Sequence, residues 1–68
     1  MERQIIERYI GLRTEIFLKN KLKYTGYIKK IEGNTVIFLD KYNQEIPIDS
    51  ELVELINPKP QKEEENNG

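Results

Sequence analysis

Between Leu18 and Ile28 the chain reads Leu-Lys-Asn-Lys-Leu-Lys-Tyr-Thr-Gly-Tyr-Ile, with Leu22, Tyr24, Gly26 and Ile28 on alternate positions. In an extended strand that alternation turns these four residues toward one face and Lys23, Thr25, Tyr27 and Lys29 toward the other. A glycine in the middle of an apolar face normally weakens a strand. It is kept where a sheet bends sharply or where a second backbone approaches closely. Gly26 is therefore expected to be the fold point of a small closed sheet.

The rest of the chain supplies partners for such a strand. Ile5, Ile6, Tyr9 and Ile10 form one narrow apolar stripe, which predicts a short helix over Glu2 to Ile10 that Gly11 ends in a left-handed conformation. A first strand follows from Arg13 to Asn20, with Thr14, Ile16 and Leu18 inward and a tight Asn20-Lys21 turn after it. The glycine strand runs from Leu22 to about Ile31, and Glu32-Gly33-Asn34 is the next turn. Thr35 to Asp40 is a third strand, whose Val36-Ile37-Phe38-Leu39 run implies burial on both faces. Glu45 to Ile48 is a fourth strand, confined to an edge by Pro47. Leu52 to Ile56 is a fifth, entered through a helical turn at Asp49-Ser50-Glu51. The expected core is Ile16, Leu18, Leu22, Tyr24, Ile28, Val36, Phe38, Ile46, Ile48, Val53 and Leu55, capped by Ile5, Ile6 and Tyr9. The fold class is all-β with a short N-terminal helix, a five-stranded, strongly bent antiparallel small barrel. Residues 1–57 make one domain. Residues 58–68, with two prolines and the run Glu63-Glu64-Glu65, have nothing apolar to bury and are expected to be a disordered acidic tail.

A chain of 68 residues has room for one small core, and domains of this size gain stability from disulfides, metals or self-association. With no cysteine and no histidine, the usual zinc sites and the usual thiol or imidazole nucleophile pairs are excluded. No spacing singles out two of Glu32, Asp40, Asp49 and Glu51 as an acid–base pair, and there is no glycine-rich phosphate loop. The reading is a non-enzymatic binding module with no catalytic residues, metal or cofactor. No apolar run approaches the length of a membrane span, and the start Met1-Glu2-Arg3-Gln4 lacks the apolar core of a signal peptide. A cytoplasmic protein with no membrane partner is expected. The Lys, Glu and Ile bias without cysteine resembles the composition of hyperthermophile proteins.

The charges are sorted along the chain. From Arg13 to Lys30 six basic residues stand against Glu15 alone, and from Ile31 to Asn57 six acidic residues stand against Lys41 alone. Such sorting gives an electrostatic footprint for an anionic partner, complementary faces that meet in an oligomer, or solvated strand faces that happen to cluster.

The stretch Ile16-Phe17-Leu18-Lys19-Asn20, continued through Leu22 to Ile28 and on to Val36-Ile37-Phe38-Leu39, resembles the first motif of the Sm and Sm-like family of small barrels. In that motif a hydrophobic strand ends in a Lys-Asn turn and is followed by an apolar residue, a spacer and the glycine of the bent strand. The resemblance implies a ring of six or seven copies, in which the fourth strand of one subunit pairs with the fifth of the next. It also implies binding of single-stranded, often uridine-rich RNA through the loops after strands two and four. Glu32 then sits near the family's usual aspartate, and Asn34 takes the place of its base-reading asparagine. The sequence departs from the pattern in a shorter first loop and in Asp49-Ser50 after Ile48, where the family carries an Arg-Gly pair.

The candidate nucleic-acid contacts are Lys19, Lys21, Lys23, Tyr27, Lys29, Lys30 and Asn34, ammonium groups for phosphates with a ring and an amide for unstacked bases. Tyr24 alternates with Leu22 and Ile28 and belongs to the core, which leaves Tyr27 as the stacking residue; Tyr42 and Asn43 sit in a polar loop within reach of a ligand. The expected function is single-stranded RNA binding by a homo-oligomeric Sm-like ring. The alternative is a small-barrel protein–protein interaction module that binds no nucleic acid.

Overall fold

Ten residues of one strand, Lys23–Glu32, hold the sheet together. In the computed structural model, which describes residues 1–59, this strand (β2) pairs with two neighbours in succession. Its first half runs antiparallel to β1 (Arg13–Leu18), from Lys23 opposite Phe17 to Tyr27 opposite Arg13. Its second half runs antiparallel to β3 (Thr35–Asp40), from Gly26 opposite Asp40 to Glu32 opposite Thr35. Strand β4 (Glu45–Asp49) lies outside β3, and β5 (Val53–Pro58) lies outside β1, so the order is β4-β3-β2-β1-β5. A single 3-10 turn, Ser50–Leu52, links β4 to β5. The sheet is antiparallel throughout, and it does not close, since β4 and β5 are its two edges.

Gly26 sits where β2 passes from one partner to the other. A Cβ built there would stand 1.9 Å from the Leu39 carbonyl oxygen and 3.0 Å from the Asp40 Cα, so the backbone of β3 occupies the space a side chain would need. That is the close backbone approach for which a strand glycine is kept. The register irregularity lies further on, between Ile28 and Lys30, where Lys29 bulges out of the β2–β3 ladder. The bulge resets the alternation, so Ile28 and Ile31 both face Phe38 and Val36 across the ladder.

Helix α1 (Arg3–Glu7) is shorter than the apolar stripe predicts. Glu2 at its start gives no side-chain cap, and after Arg8 the chain is drawn into β2: Ile10 forms a parallel bridge with Ile28, and the Gly11 N–H donates to the Ile28 carbonyl at 3.0 Å. Ile6 is fully buried and Tyr9 packs on the core, whereas Ile5, expected in the cap, is 39% exposed.

The core comprises Ile6, Ile16, Leu18, Ile28, Val36, Phe38, Ile48, Val53 and Ile56, drawn from the helix and all five strands, with Tyr24, Ile31 and Ile46 packed against it. A five-residue helix cannot by itself cover one face of five strands spaced about 4.8 Å apart. Complete burial of Ile16, Ile28, Val36 and Phe38 therefore requires the sheet to curl over its own inner face. The third strand is fully buried on that face only; Ile37 and Leu39 are half-buried outside it.

Two expected core residues are not in the core. Leu55 is 52% exposed because β5 carries a bulge: Phe17 faces Leu55, but Leu18 faces Val53, which leaves Glu54 as the extra residue. Beyond it the inward position passes from Leu55 to Ile56. Leu22 is 50% exposed because it belongs to the hairpin turn, where its carbonyl accepts from the Leu18 N–H at 2.9 Å. In that turn Lys21, and not Asn20, takes the left-handed conformation (φ 77°), while Asn20 Oδ1 accepts from the Leu22 N–H at 3.1 Å. Strand β5 also extends past the expected end of the domain. Pro58 pairs with Thr14 and the Lys59 N–H donates to the Arg13 carbonyl at 2.8 Å, so the disordered-tail reading fails for these two residues. Residues 60–68 lie outside the described residues.

Two stability predictions follow from this packing. Gly26→Ala should destabilise the protein by at least about 1–3 kcal/mol, because β3 must be pushed back to admit the methyl group; an unchanged denaturation midpoint would contradict the close approach. Thr14 is fully buried and its hydroxyl has no hydrogen-bond partner among the described residues. Replacing it by valine keeps the volume and removes the unsatisfied group, so Thr14→Val should raise stability by about 1 kcal/mol in the same assay.

Candidate nucleic-acid interface

The curled sheet brings three chain reversals to one end. The Lys19 N–H donates to the Leu52 carbonyl at 2.8 Å, which ties the β1–β2 turn to the 3-10 turn. The Ser50 N–H donates to the Asn34 carbonyl at 2.8 Å, which ties the end of β4 to the β2–β3 turn. Arg3 Nη1 donates to the Gly33 carbonyl at 3.3 Å and brings in the start of α1. The Met1 amino group donates to the carbonyls of Ser50 and Val53. Between these elements lies an open cleft of about 380 Å³, lined by Met1, Glu2, Arg3, Lys19, Asn34, Ser50 and Glu51.

The cleft offers both kinds of contact that a nucleotide needs. The Asn34 side-chain amide both donates and accepts, as a base edge requires, while Arg3 and Lys19 supply positive charge. Arg3 is also held by Glu7, Nε to Oε2 at 2.9 Å. Lys19 has no carboxylate partner among the described residues. Asp49, the carboxylate that replaces the arginine expected from the family pattern, is turned to another task. Its Oδ1 accepts from the Glu51 N–H at 2.9 Å and caps the 3-10 turn, and it does not line the cleft.

The seven expected contact residues do not form one surface. Lys19 and Asn34 share the cleft, and Lys21 stands in the adjoining turn. Lys23 lies on the outer face of β2, its Nζ 5.8 Å from the centre of the Phe17 ring and 3.4 Å from Glu15. Lys29, on the bulge, reaches Glu45 at 2.6 Å, and Lys30 reaches Glu32 at 2.8 Å. Tyr27 faces outward at the middle of β2 and is 39% exposed. Lys23 is met by Glu15 of the neighbouring β1, Lys30 by Glu32 two residues further along β2 itself, and Lys29 by Glu45 of β4, reached across β3. Much of the charge sorting along the chain is thus neutralised within the subunit. The sequence gives no sign that Arg3 or Ser50 would line the cleft, because both arrive through pairings that join distant parts of the chain.

These exposed ion pairs leave a titration signature. The Lys29 ammonium hydrogen-bonded to Glu45 holds that carboxyl below its ordinary range, and hydrogen bonding to Glu32 raises the Lys30 ammonium above its own. A lowered carboxyl contributes stability above its unfolded value and loses it as pH falls through the folded one; a raised lysine contributes below its unfolded value and loses it as pH rises through the folded one. A side-chain NMR titration should therefore find Glu45 titrating low in the wild type and returning to the ordinary range in Lys29→Met. An ordinary value in both proteins would show that the pair does not persist in solution.

No helix among the described residues is long and apolar enough to cross a membrane. No protein-family model and no curated protein matches this chain.

Proposed function

We propose that this chain is a non-enzymatic, Sm-like binding protein for single-stranded RNA, whose strands curl into a small barrel and whose copies join edge to edge in a ring. One observation carries the reading: Arg3, Lys19 and Asn34 come from three separate parts of the chain and line a single cleft. In a lining that also holds the Glu2 and Glu51 carboxylates, the amide and the two cations suit one unstacked base and its phosphates, and hydrogen bonding to the edges of unstacked bases is how proteins read single-stranded RNA. The two unpaired edges, β4 and β5, support association.

The competing reading, a protein-interaction module, is favoured by a different observation. Leu22, Leu52 and Leu55 are all substantially exposed, and the backbone pairings of Lys19 with Leu52 and of Phe17 with Leu55 place them at the end of the sheet beside the β5 edge. An apolar group beside a free edge suits a partner strand.

Titration of labelled oligo-uridine at two salt concentrations, run beside a mass measurement, separates the two. Under the RNA reading, affinity falls steeply with salt. Lys19→Ala should flatten the logarithmic slope by about 0.7, the value for one phosphate contact on a single strand. Lys29→Ala should change it much less, because Glu45 already offsets that charge. Asn34→Ala should weaken binding with the slope unchanged. Failure to bind oligo-uridine, oligo-adenine or DNA at low salt would overturn the RNA reading, and a monomer mass at tens of micromolar protein would overturn the ring.

A further inference from the structure

Toward the far end of β3 from the cleft, beside the start of β1 and the middle of β2, lies a second set of aromatic and cationic groups that the cleft does not use. The outer face of the sheet is crossed there by one register row, Arg13 on β1, Tyr27 on β2, Leu39 on β3 and Glu45 on β4. Three residues after Leu39, in the loop joining β3 to β4, stands Tyr42. It is 71% exposed, the most exposed of the large apolar side chains among the described residues. Chain geometry limits the Tyr27 and Tyr42 Cα atoms to a separation of about 16 Å, one strand spacing plus three extended residues.

Tyr42 is exposed on an ordered support. Asp40 Oδ1 accepts from the N–H groups of Tyr42 (2.8 Å) and Gln44 (2.9 Å), and the Asp40 carbonyl accepts from the Asn43 N–H at 3.0 Å. Asn43 takes the left-handed conformation (φ 64°) and closes the loop. The same bonds occupy one oxygen of the Asp40 carboxylate. The Lys41 ammonium lies over the Tyr42 ring, 5.5 Å from its centre, which leaves the opposite ring face for another group. Neither Lys41 nor Arg13 has a carboxylate partner among the described residues, in contrast to Lys23, Lys29 and Lys30.

Two exposed rings with unneutralised cations beside them match the chemistry of a single-stranded polynucleotide: bases stack on aromatic faces, and phosphates take the cations. A protein partner would make less use of this surface, since its isolated tyrosines do not form a continuous apolar patch. Resting on the RNA-binding reading above, we propose that Tyr27 and Tyr42, with Arg13 and Lys41, form a second contact surface for the same strand, at the opposite end of β3 from the Asn34 cleft. The six residues of β3 separate the two surfaces by about 17 Å. On this proposal a trinucleotide seats in the cleft alone, and a longer strand reaches both.

The test uses the full chain and two labelled probes at low salt, a uridine trimer and a uridine dodecamer. Tyr42→Ala should weaken dodecamer binding roughly 5- to 100-fold and leave its salt slope unchanged, because stacking releases no ions. Tyr42→Phe should retain wild-type affinity. Tyr42→Trp, the only tryptophan in the chain, should be quenched by the dodecamer. Asn34→Ala should weaken both probes, whereas Tyr42→Ala should leave trimer binding as it was. If the wild type binds the dodecamer, Asn34→Ala weakens it, and Tyr27→Ala and Tyr42→Ala both bind as the wild type, the second surface is overturned and the cleft stands. If the wild type binds neither probe, the RNA-binding reading falls and this inference falls with it.

Discussion

The missing side chain at Gly26 is the constraint on which the rest of the structure depends. With the Leu39 carbonyl 1.9 Å from the site of a Cβ, β3 lies against β2 at a distance no other residue permits. Gly26 is opposite both Thr14 and Asp40 and Tyr27 is opposite both Arg13 and Leu39, so β1 and β3 flank β2 together only at these two residues. From that junction β1 runs toward the Lys19 turn while β3 runs back toward Asn34, and the outer strands follow their partners. The sheet curls enough for its own strands, with help from Ile6, to bury Phe38 and Ile16 completely. The cleft is a consequence of the same junction, because it gathers the ends of strands that diverge from Gly26.

Charge is arranged by the folded sheet as well as by chain position. The lysines that look like a continuous basic face in the sequence are distributed by the Lys29 bulge and met by Glu15, Glu32 and Glu45. Pairs this exposed contribute little to stability. Their larger effect is on the surface potential, since they leave Arg8, Arg13, Lys19, Lys21 and Lys41 as cations without carboxylate partners among the described residues. Lys19 and Lys21 lie at the cleft and its adjoining turn, and Arg13 and Lys41 lie toward the far end of β3. Both edges are blunted as well. The Ser50–Asn34 and Asp40–Gln44 bonds set the phase of the β3–β4 ladder so that Pro47 turns its nitrogen to the free edge, and the Lys59–Arg13 bond does the same for Pro58 on β5. An added strand must therefore dock around a proline on either side.

Period-two alternation was enough to find all five strands and to place Ile16, Leu18, Ile28, Val36, Phe38, Ile48 and Val53 in the core. It failed at Leu55 and Ile56, where Glu54 bulges, since nothing local in Val53-Glu54-Leu55-Ile56 marks an extra residue. It also overextended the helix, because the apolar stripe continues through Ile10 while the backbone of Ile10 and Gly11 is claimed by β2. Of the site, Lys19 and Asn34 were legible as turn residues next to strands. Arg3 and Ser50 were not, since their positions depend on contacts across about 30 and 16 residues of chain respectively.

The central claim is that the Asn34 cleft and the surface around Tyr27 and Tyr42, and not the ion-paired Lys29 and Lys30, take a polynucleotide. Backbone amide shift mapping with a uridine dodecamer at low salt tests this most directly. The account predicts perturbations at Lys19, Asn34 and Ser50 and at Tyr27, Lys41 and Tyr42, with Lys29, Lys30 and Glu45 unmoved. Perturbations centred on Lys29, Lys30 and Glu45, or confined to the β4 and β5 edges, would contradict it.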